Sequence, residues 1–417
     1  MMDGKRNTVL VTIDSLRADR CGYIDGDRDT TPTLDRLAEN GLAFEQAIAP
    51  GPTTSNSMLP STTGEFSISR EGDPARGMST ERIRKHLRGR ETIAERFAEM
   101  GYETGGFTAN PWTSRFFEFD QGFDHFEDFI DADSSSSAFD DTDEGSNSIV
   151  AAMVRNVANW REGQNMFMQW EAFHDEVLAW KREASEPAFL WIFLVDPHMP
   201  YLPPSEYRSG SKLENLAANA WLLSGKYEPV APSVHDTLST AYDDCIRYTD
   251  AFLKRLHNDL ADDTLLAIHA DHGEEFGDHG SYGHGTNLRE EVLHVPLVVA
   301  NGPTDTVEHP VSLRRLPDLL TDLASGDDPR ETGTLDPTPY VRSRNWDPKY
   351  ALRGDAWKYV REATDDALYD IDRDEAPMEN AELVDLGRQL VRRWRCSDGE
   401  RKRIANAVAE TIGNERA

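Results

Sequence analysis

The sequence predicts an α/β fold in which helices cover both faces of a mainly parallel central sheet. Residues 8–13 and 189–195 are short, continuously apolar segments of the kind that form buried parallel strands. Amphipathic segments separate such runs, and several of them end at a glycine, as helices commonly do. This alternation through most of the chain is typical of a parallel sheet with two helical layers.

The first elements follow directly from these patterns. The strand at residues 8–13 precedes a short helix at 31–40 and a strand at 43–49. A second helix at 91–100 precedes a strand at 104–110. The chain therefore begins with a regular exchange of strands and helices.

The middle of the chain holds the strongest strand. Residues 134–147 are rich in serine and acids, and we expect them to form a surface loop. A long amphipathic stretch at 149–182 then precedes the apolar run at 189–195, which we interpret as a central strand. The remaining elements of this part are a helix and two strands, at residues 242–260, 264–270 and 294–300.

From about residue 333 the pattern changes. The short segments YALRGD, WKYVRE and ALYDID precede an arginine-rich terminal helix. This pattern predicts a small antiparallel α+β part. We divide the chain into a main domain at residues 1–332 and a C-terminal subdomain at 333–417.

The chain of 417 residues has a formal net charge of −31, and it contains nine lysines but 35 arginines. This composition suggests a halophilic protein from a high-salt cytosol. Because an acidic surface repels phosphate backbones, we expect no nucleic-acid partner. An ordinary acidic protein without salt adaptation is the alternative.

The three cysteines are widely spaced and form no CxxC pair, so neither a disulfide framework nor a zinc–cysteine site is indicated. The chain contains no apolar stretch long enough for a membrane span, and its N-terminus lacks the apolar segment of a signal peptide. We therefore expect a cytoplasmic protein.

Polar residues follow two of the predicted strands. Asp14 follows the first strand, and Asp271 and His272 follow the strand at 264–270. Ligands bind at the carboxyl ends of strands in such sheets, and two carboxylates with one imidazole can hold a divalent metal ion. Each residue alone has a simpler interpretation, because an Asp after a strand is usually a helix cap or a turn former.

A hydroxyl-rich segment, GPTTSNSMLPSTTG at residues 51–64, lies between a strand and a predicted helix. Its backbone NH groups and the helix N-terminus would hold an anion, and a bound metal would activate one of its hydroxyls. The alternative is a solvated loop. Composition does not choose which hydroxyl would attack.

Several of these segments together resemble the sulfatase family of the alkaline-phosphatase superfamily. The similarity begins with TVLVTIDSLRAD, TTPTLDRLAENGLAFEQAIA and the hydroxyl segment that ends in TG. FLVDPHMPYLPP, ADHGEEFGDHGSYGHGTNLREEVLHVPLVV and ALYDIDRDE follow in the family's order, so the resemblance covers roughly residues 7–380. It implies an alkaline-phosphatase-like fold.

The resemblance identifies Thr54 as the nucleophile. Sulfatases carry a Cys or Ser, converted to formylglycine, ten residues before the glycine of the terminal TG, and here Thr54 stands ten residues before Gly64. Threonine cannot form formylglycine, because its β-carbon carries a methyl group. The chain resembles instead relatives that act on phosphoryl groups through an unmodified Thr, such as lipoteichoic acid synthases and nucleotide phosphodiesterases. Ser15 and His272 favour this type, since sulfatases usually have Asp and Asn there.

Carried over to this chain, the family pattern implies one divalent metal ion, which would be manganese, magnesium, calcium or zinc. Its ligands would be Asp14, Thr54, Asp271 and His272. The other implied roles are contact with the transferring group for His198 and His284, and substrate binding for Asn110 and Arg17.

Three alternatives remain open for these residues. A second metal ion would be held by Asp196, His198 and His284. Arg17 would pair with a nearby acid instead of a substrate anion. The acids after His272, among them Glu274, need no catalytic role in a polar loop.

The leading functional hypothesis is a hydrolase or transferase of phosphate or phosphonate esters. A sulfuric ester hydrolase without formylglycine is the second hypothesis. The third is a binding protein without turnover, because Met58 stands where the family has Arg and the family Lys near Ala109 is missing. The expected substrate is an anionic ester, either a small molecule or one linked to a glycan or lipid.

Overall fold

The computed structural model describes residues 5–67, 80–129, 169–225, 230–345 and 349–414. The predicted surface loop at 134–147 and the first part of the amphipathic stretch at 149–182 lie outside these residues.

A mixed, mostly parallel sheet forms the centre of the molecule. Its strand order is β10-β2-β9-β6-β1-β5-β3-β4, and β11 pairs with the end of β2. Only β9 runs antiparallel to its neighbours, β2 and β6, whereas β7 and β8 form a separate ribbon. The strands are β1 (Thr8–Ile13), β2 (Leu42–Ile48), β3 (Glu103–Thr108), β4 (His125–Glu127), β5 (Ala188–Leu194), β6 (Leu265–Ala270), β7 (Glu275–Phe276), β8 (Tyr282–Gly283), β9 (His294–Ala300), β10 (Asp305–Val307) and β11 (Val311–Ser312).

The register of the three central strands fixes where the chain leaves the sheet. Strand β1 pairs in parallel with β5 on one side and β6 on the other, and Ile13 lies opposite both Leu194 and Ala270. All three strands are buried along their full length, as their apolar, β-branched sequences predict. Because they end at the same level, the residues that follow them meet at one edge of the sheet.

The helices connect these strands and carry the outer layers of the fold. Helix α7 begins about ten residues before its predicted start, at Pro232. Its first turns carry few apolar residues, so periodicity revealed only its second half. The helices of this part are α1 (Pro32–Glu39), α2 (Thr54–Thr63), α3 (Thr80–Arg88), α4 (Ile93–Glu99), α5 (His174–Glu183), α6 (Lys212–Leu223), α7 (Pro232–Asp259), α8 (Glu290–Leu293) and α9 (Leu316–Ser325).

The hydroxyl-rich segment is itself a helix, α2, which corrects the interpretation of this segment as a solvated loop. Every residue of the helix except Ser55 is buried. Side-chain hydroxyls bond back along the helix, as Thr63 Oγ1 does to the Leu59 carbonyl at 2.7 Å. The helix ends at Gly64, whose φ of 73° is the left-handed conformation that glycine adopts without steric cost.

The C-terminal part is an antiparallel sheet with a long helix, as predicted. Its strands pair in the order β12-β13-β14-β15-β16. Phe66 of the main part joins its separate small core, which includes Tyr359 and Trp394. These elements are β12 (Val341–Arg344), β13 (Lys349–Arg353), β14 (Trp357–Glu362), β15 (Asp365–Asp370), β16 (Ala376–Pro377) and α10 (Ala381–Asn414). The predicted fold class is thus confirmed, and the boundary at residue 333 remains a prediction.

A buried ion-pair cluster joins the two parts. Glu290 of helix α8 accepts from Lys358 Nζ at 3.1 Å and contacts Arg353 Nε at 3.3 Å. Burial alone would raise the pKa of Glu290, but Lys358 and Arg353 outweigh it and lower this pKa to about 2. The C-terminal sheet is therefore attached to the main part by charge as well as by apolar contact.

None of the helices within the described residues is long and apolar enough to cross a membrane.

Candidate active site

Asp14, Asp271, His272 and Thr54 converge at the edge of the sheet where β1 and β6 end. Nε2 of His272 lies 3.5 Å from Asp14 Oδ1 and 3.5 Å from Asp271 Oδ2. The Thr54 hydroxyl oxygen lies 3.4 Å from the same nitrogen. All four side chains are buried. Three oxygens thus surround one imidazole nitrogen, and the assignment of these four residues as metal ligands remains a prediction.

Thr54 is the first residue of helix α2. The side chain of Thr53 caps this helix by accepting a hydrogen bond from the Asn56 backbone NH. A helix N-terminus carries partial positive charge, which favours a negative charge on or near the Thr54 hydroxyl. The local fold therefore suits this hydroxyl to attack an anionic ester.

The orientation of His272 is set by its neighbours. Its Nδ1 lies 2.9 Å from the Gly273 carbonyl oxygen, so the proton is assigned to Nδ1 and the lone pair to Nε2. The His272 backbone NH also donates to Asp271 Oδ1 at 2.8 Å. At position 273 a Cβ would lie 2.0 Å from the Glu291 carbonyl, so only glycine permits this close turn.

Asp14 is held by two hydrogen bonds. Ser15 Oγ donates to Oδ1 at 3.0 Å, and Asn110 Nδ2 donates to Oδ2 at 2.6 Å. The Ser15 backbone NH also donates to Asp271 Oδ1, from a backbone with φ of 62°. Asn110, predicted to bind substrate, thus contacts the Asp14 carboxylate, and its substrate contact remains a prediction.

The electrostatics of this cluster favour a cation. Burial and the neighbouring Asp271 carboxylate raise the pKa of Asp14 well above its usual range, and burial raises the pKa of Asp271 to about 7. Burial and the charge of His284 hold the pKa of His272 well below its usual range. Oδ2 of Asp271 accepts no hydrogen bond from the described residues, although it is buried. Two carboxylates and a neutral imidazole, all within reach of one ion, fit a divalent metal.

His198 and His284 lie beside this cluster. The ring centroid of His284 is 4.4 Å from that of His272 and 4.9 Å from that of His198. Burial would lower the pKa of His284, but the Glu274 carboxylate, 3.0 Å from its Nδ1, raises it. Burial and the charge of His284 lower the pKa of His198 to about 4. One imidazole is therefore suited to be a proton donor, and its neighbour is suited to be neutral.

The Asp196 carboxyl has Glu171 and Cys245 as neighbours. Burial and the neighbouring Glu171 raise the pKa of its carboxyl to about 7, and it contacts Cys245. Within the described residues, Asp196 does not come within reach of one cation together with His198 and His284. The alternative of a second metal held by these three residues is therefore not supported by their positions.

Arg17 is buried and paired with acids. Its guanidinium contacts Asp19 at 2.6 Å and Asp278 at 3.1 Å. Burial opposes the charge, but Asp19 raises the pKa of Arg17 above its usual value. These contacts agree with the alternative in which Arg17 pairs with nearby acids. Substrate binding by Arg17 remains a prediction.

Sequence reasoning missed Ser15, Glu274 and Tyr242. Ser15, which differs from the usual family residue, contacts both buried carboxylates, Asp14 and Asp271. Glu274 was assigned no role, yet it is completely buried and holds His284. Tyr242, a residue of helix α7, donates to the Ser15 carbonyl at 2.6 Å. An acid two residues after a ligand histidine was the available signal for Glu274, whereas the Tyr242 contact depends on tertiary packing.

Comparisons with known proteins bear on the family and the fold of this chain. A model of the sulfatase family matches residues 6–312. Human iduronate 2-sulfatase is 24% identical over 339 residues, which cover 70% of this chain and 59% of that protein. The chain thus spans less than two thirds of the length of this relative.

Solved structures confirm the fold. The phosphonate monoester hydrolase of Agrobacterium radiobacter superimposes with a TM-score of 0.63 at 16% identity, covering 99% of this chain and 95% of that one. An alkaline-phosphatase-superfamily protein from Vibrio parahaemolyticus gives a TM-score of 0.60 at 18% identity, covering 92% of this chain and 84% of that one. The fold is therefore alkaline-phosphatase-like.

Proposed function

The chain belongs to the sulfatase family, and we propose that it is a metal-dependent hydrolase or transferase of phosphate or phosphonate esters with Thr54 as its nucleophile. The observation that carries the proposal is the Thr54 hydroxyl, which lies 3.4 Å from His272 Nε2 among the carboxylates of Asp14 and Asp271. Threonine cannot be converted to formylglycine, so the sulfate chemistry of formylglycine enzymes does not apply to it. A phosphonate monoester hydrolase shares this fold, so the fold is compatible with the phosphorus branch.

The covalent step follows from this placement. The Thr54 hydroxyl releases its proton to water, its oxygen forms a bond to phosphorus, and the bond from phosphorus to the leaving-group oxygen breaks as that oxygen takes a proton from His284. Asp14, Asp271 and His272 would hold the divalent metal ion, which when bound lowers the pKa of the hydroxyl and screens the charge of the phosphoryl group. Water or an acceptor alcohol then takes the phosphoryl group from Thr54 in a second displacement.

His284 is the residue we assign to proton donation. Its Nδ1 is engaged by Glu274 Oε1 at 3.0 Å, which leaves Nε2 for the leaving-group oxygen. His198 makes its Nδ1 contact with the Met199 carbonyl at 2.5 Å. In the proposal the charge of the bound substrate raises the pKa of this ring, so that the protonated imidazole donates from Nε2 to the anionic oxygens. Glu274 is a positioning residue because it acts only through His284.

Sulfuric ester hydrolysis is the second candidate. The similarity to human iduronate 2-sulfatase over 70% of the chain favours it. In this case Thr54 or water would attack sulfur within the same residues. A binding protein without turnover is the third candidate, supported by Met58, which is buried in the core at the position of the family's arginine.

Replacement of Thr54 separates these candidates. The full chain, supplied with manganese, magnesium, calcium or zinc, is assayed with aryl phosphate, phosphodiester, phosphonate ester and aryl sulfate. We expect turnover of a phosphorus ester, lost by about 10³-fold or more in Thr54→Ala and partly retained in Thr54→Ser. Intact-mass measurement after substrate addition should show one phosphoryl group on the wild-type chain and none on Thr54→Ala.

Three results would contradict the proposal. Unchanged turnover in Thr54→Ala would exclude Thr54 as the nucleophile. Sulfate release without phosphate release would establish the second candidate. Tight metal binding without turnover of any of the four substrates would establish the third.

A further inference from the structure

A second concentration of charged side chains lies where the C-terminal sheet meets the main part of the chain. A cavity of about 360 Å³ there is lined by three arginines, Arg314, Arg315 and Arg342. Two carboxylates, Asp318 and Asp336, line it as well. The cavity wall also carries four hydroxyl side chains, those of Ser312, Thr334, Thr338 and Tyr340. Both charge and neutral donors are therefore available to a ligand.

The three arginines outnumber the two carboxylates of the cavity and, in the part of the chain that the structure describes, form no ion pair with them. Arg314 donates from Nε and Nη2 to the carbonyl of Gly64, at 3.0 and 2.7 Å, and a carbonyl carries no net charge. Asp318 is already engaged by Arg96 at 2.6 Å. Within the described residues, no carboxylate forms an ion pair with Arg314, Arg315 or Arg342. The cavity thus presents positive charge in a chain whose net charge is −31.

Aromatic rings hold the guanidinium groups in place. Phe66 and Trp394 pack with their ring centroids 4.9 Å apart. The guanidinium of Arg314 lies 4.5 Å from the centroid of Phe66, and that of Arg342 lies 5.0 Å from the centroid of Trp394. Such stacking fixes the planar groups before a ligand arrives, so less conformational entropy is lost on binding.

A buried arginine, Arg344, lies behind the cavity. Arg344 packs on the same two rings and pairs through Nη1 with Asp398 at 2.7 Å, while its Nη2 is buried without an acceptor in the described residues. Burial and the charges of Arg342 and Arg315 lower the pKa of Arg314 to about 10. Mutual repulsion of this kind is relieved when an anion binds.

We propose that this cavity is a second anion-binding site, which takes a phosphate or sulfate group carried on a small organic molecule. Guanidinium groups match the oxygens of such anions in paired hydrogen bonds, and hydroxyls supply further donors. The volume of about 360 Å³ exceeds the needs of an inorganic anion and suits a small metabolite.

The site is separate from the reacting centre. Gly64, which lines the cavity, follows the last residue of helix α2, and Thr54 is the first residue of that helix. Ten helical residues span roughly 15 Å. An anion bound among the arginines is therefore not the ester that Thr54 attacks, and the proposal stands without the proposed function.

Titration of the full chain with inorganic phosphate and with inorganic sulfate, at constant chloride concentration, tests the site. Isothermal titration calorimetry is carried out on the wild type, Arg342→Gln and Arg315→Gln. We expect each substitution to weaken anion binding by about tenfold, because a charge-assisted hydrogen bond is lost. A phosphate that binds near Thr54 would give a separate binding event, which these substitutions leave unchanged.

Arg255→Gln is the matched control. Arg255 lies on helix α7, pairs with Asp175 at 3.4 Å and does not line the cavity. The Arg255→Gln variant should bind both anions as the wild type does. Selenate soaked into crystals should give an anomalous peak beside Arg342. Wild-type affinity in both cavity variants, or an equal loss in the control, would overturn the proposal.

Discussion

Glu274 Oε1 lies 3.0 Å from Nδ1 of His284, and this hydrogen bond joins a completely buried carboxylate to the imidazole nearest His272. Of the two neighbouring histidines, His284 has a raised pKa and His198 has a lowered one. Removal of the Glu274 carboxylate should therefore be visible in the pH dependence of turnover.

Glu274→Gln should shift the alkaline limb of the pH profile of kcat/KM to lower pH. Glu274 raises the pKa of His284, and a proton donor is active only below its pKa, so loss of the carboxylate moves the fall in activity downward. Steady-state kinetics across the pH range measure this shift. Glu95→Gln, which changes a residue of the helix α4 capping box that also contacts Gln121, should leave the limb in place. An unmoved limb in Glu274→Gln would exclude His284 as the proton donor.

Asp271→Asn should stabilise the metal-free chain and abolish stabilisation by metal. Burial raises the pKa of Asp271 to about 7, so the metal-free chain is fully stabilised below about pH 4 and loses stability as the pH rises through 7. Removing one of two adjacent buried carboxylates should gain on the order of 1 kcal/mol at pH 8. Urea unfolding with chelator, and then with added metal, measures both effects. A variant that metal stabilises as strongly as the wild type would contradict the ligand assignment.

Asn110→Ala should weaken metal binding by about 10 to 100-fold, because the amide that orients Asp14 is lost. Metal titration monitored by activity and by calorimetry gives the affinity. Asn301→Ala is the control, because the Asn301 side chain donates to the Thr264 carbonyl away from the site. If Asn110 bound only substrate, KM would rise while the metal affinity stayed constant.

Glu290→Gln should destabilise the chain by about 3 kcal/mol at pH 7, because the buried Lys358 and Arg353 side chains lose a charged partner. The pKa of Glu290 is lowered from 4.5 to about 2, so its contribution is present above pH 4.5 and is lost as the pH falls toward 2. Urea unfolding at several pH values measures this contribution. Glu362→Gln, which removes an exposed partner of Lys349, should cost less than about 1 kcal/mol. Equal losses in the two variants would show that burial adds nothing to the junction.

The sheet was predictable because the apolar sequences of its strands indicate that these strands are buried. Strand β5, for example, is continuously apolar and is buried on both faces. The ends of β1 and β6 then predicted Asp14, Asp271 and His272 as neighbours, since parallel strands in register end together. Local pattern was sufficient for these residues.

Helix α2 was not predictable from its own residues. Serine and threonine favour turns and caps, and Pro60 lies inside the helix, so local preference opposes the observed structure. Burial against the rest of the protein decides it. The contact of Tyr242 with Ser15 likewise joins residues far apart in sequence, and no local pattern reports such a contact. Side-chain partners of the ligands were missed for this reason.

Helix α2 also gives a physical meaning to the ten-residue interval between Thr54 and Gly64. Thr54 opens the helix and Gly64 ends it in the left-handed conformation, with its carbonyl held by Arg314. One inserted residue would turn the hydroxyl by about 100° around the helix axis and advance it by about 1.5 Å. The interval is therefore a length constraint, and this segment should reject insertions and deletions.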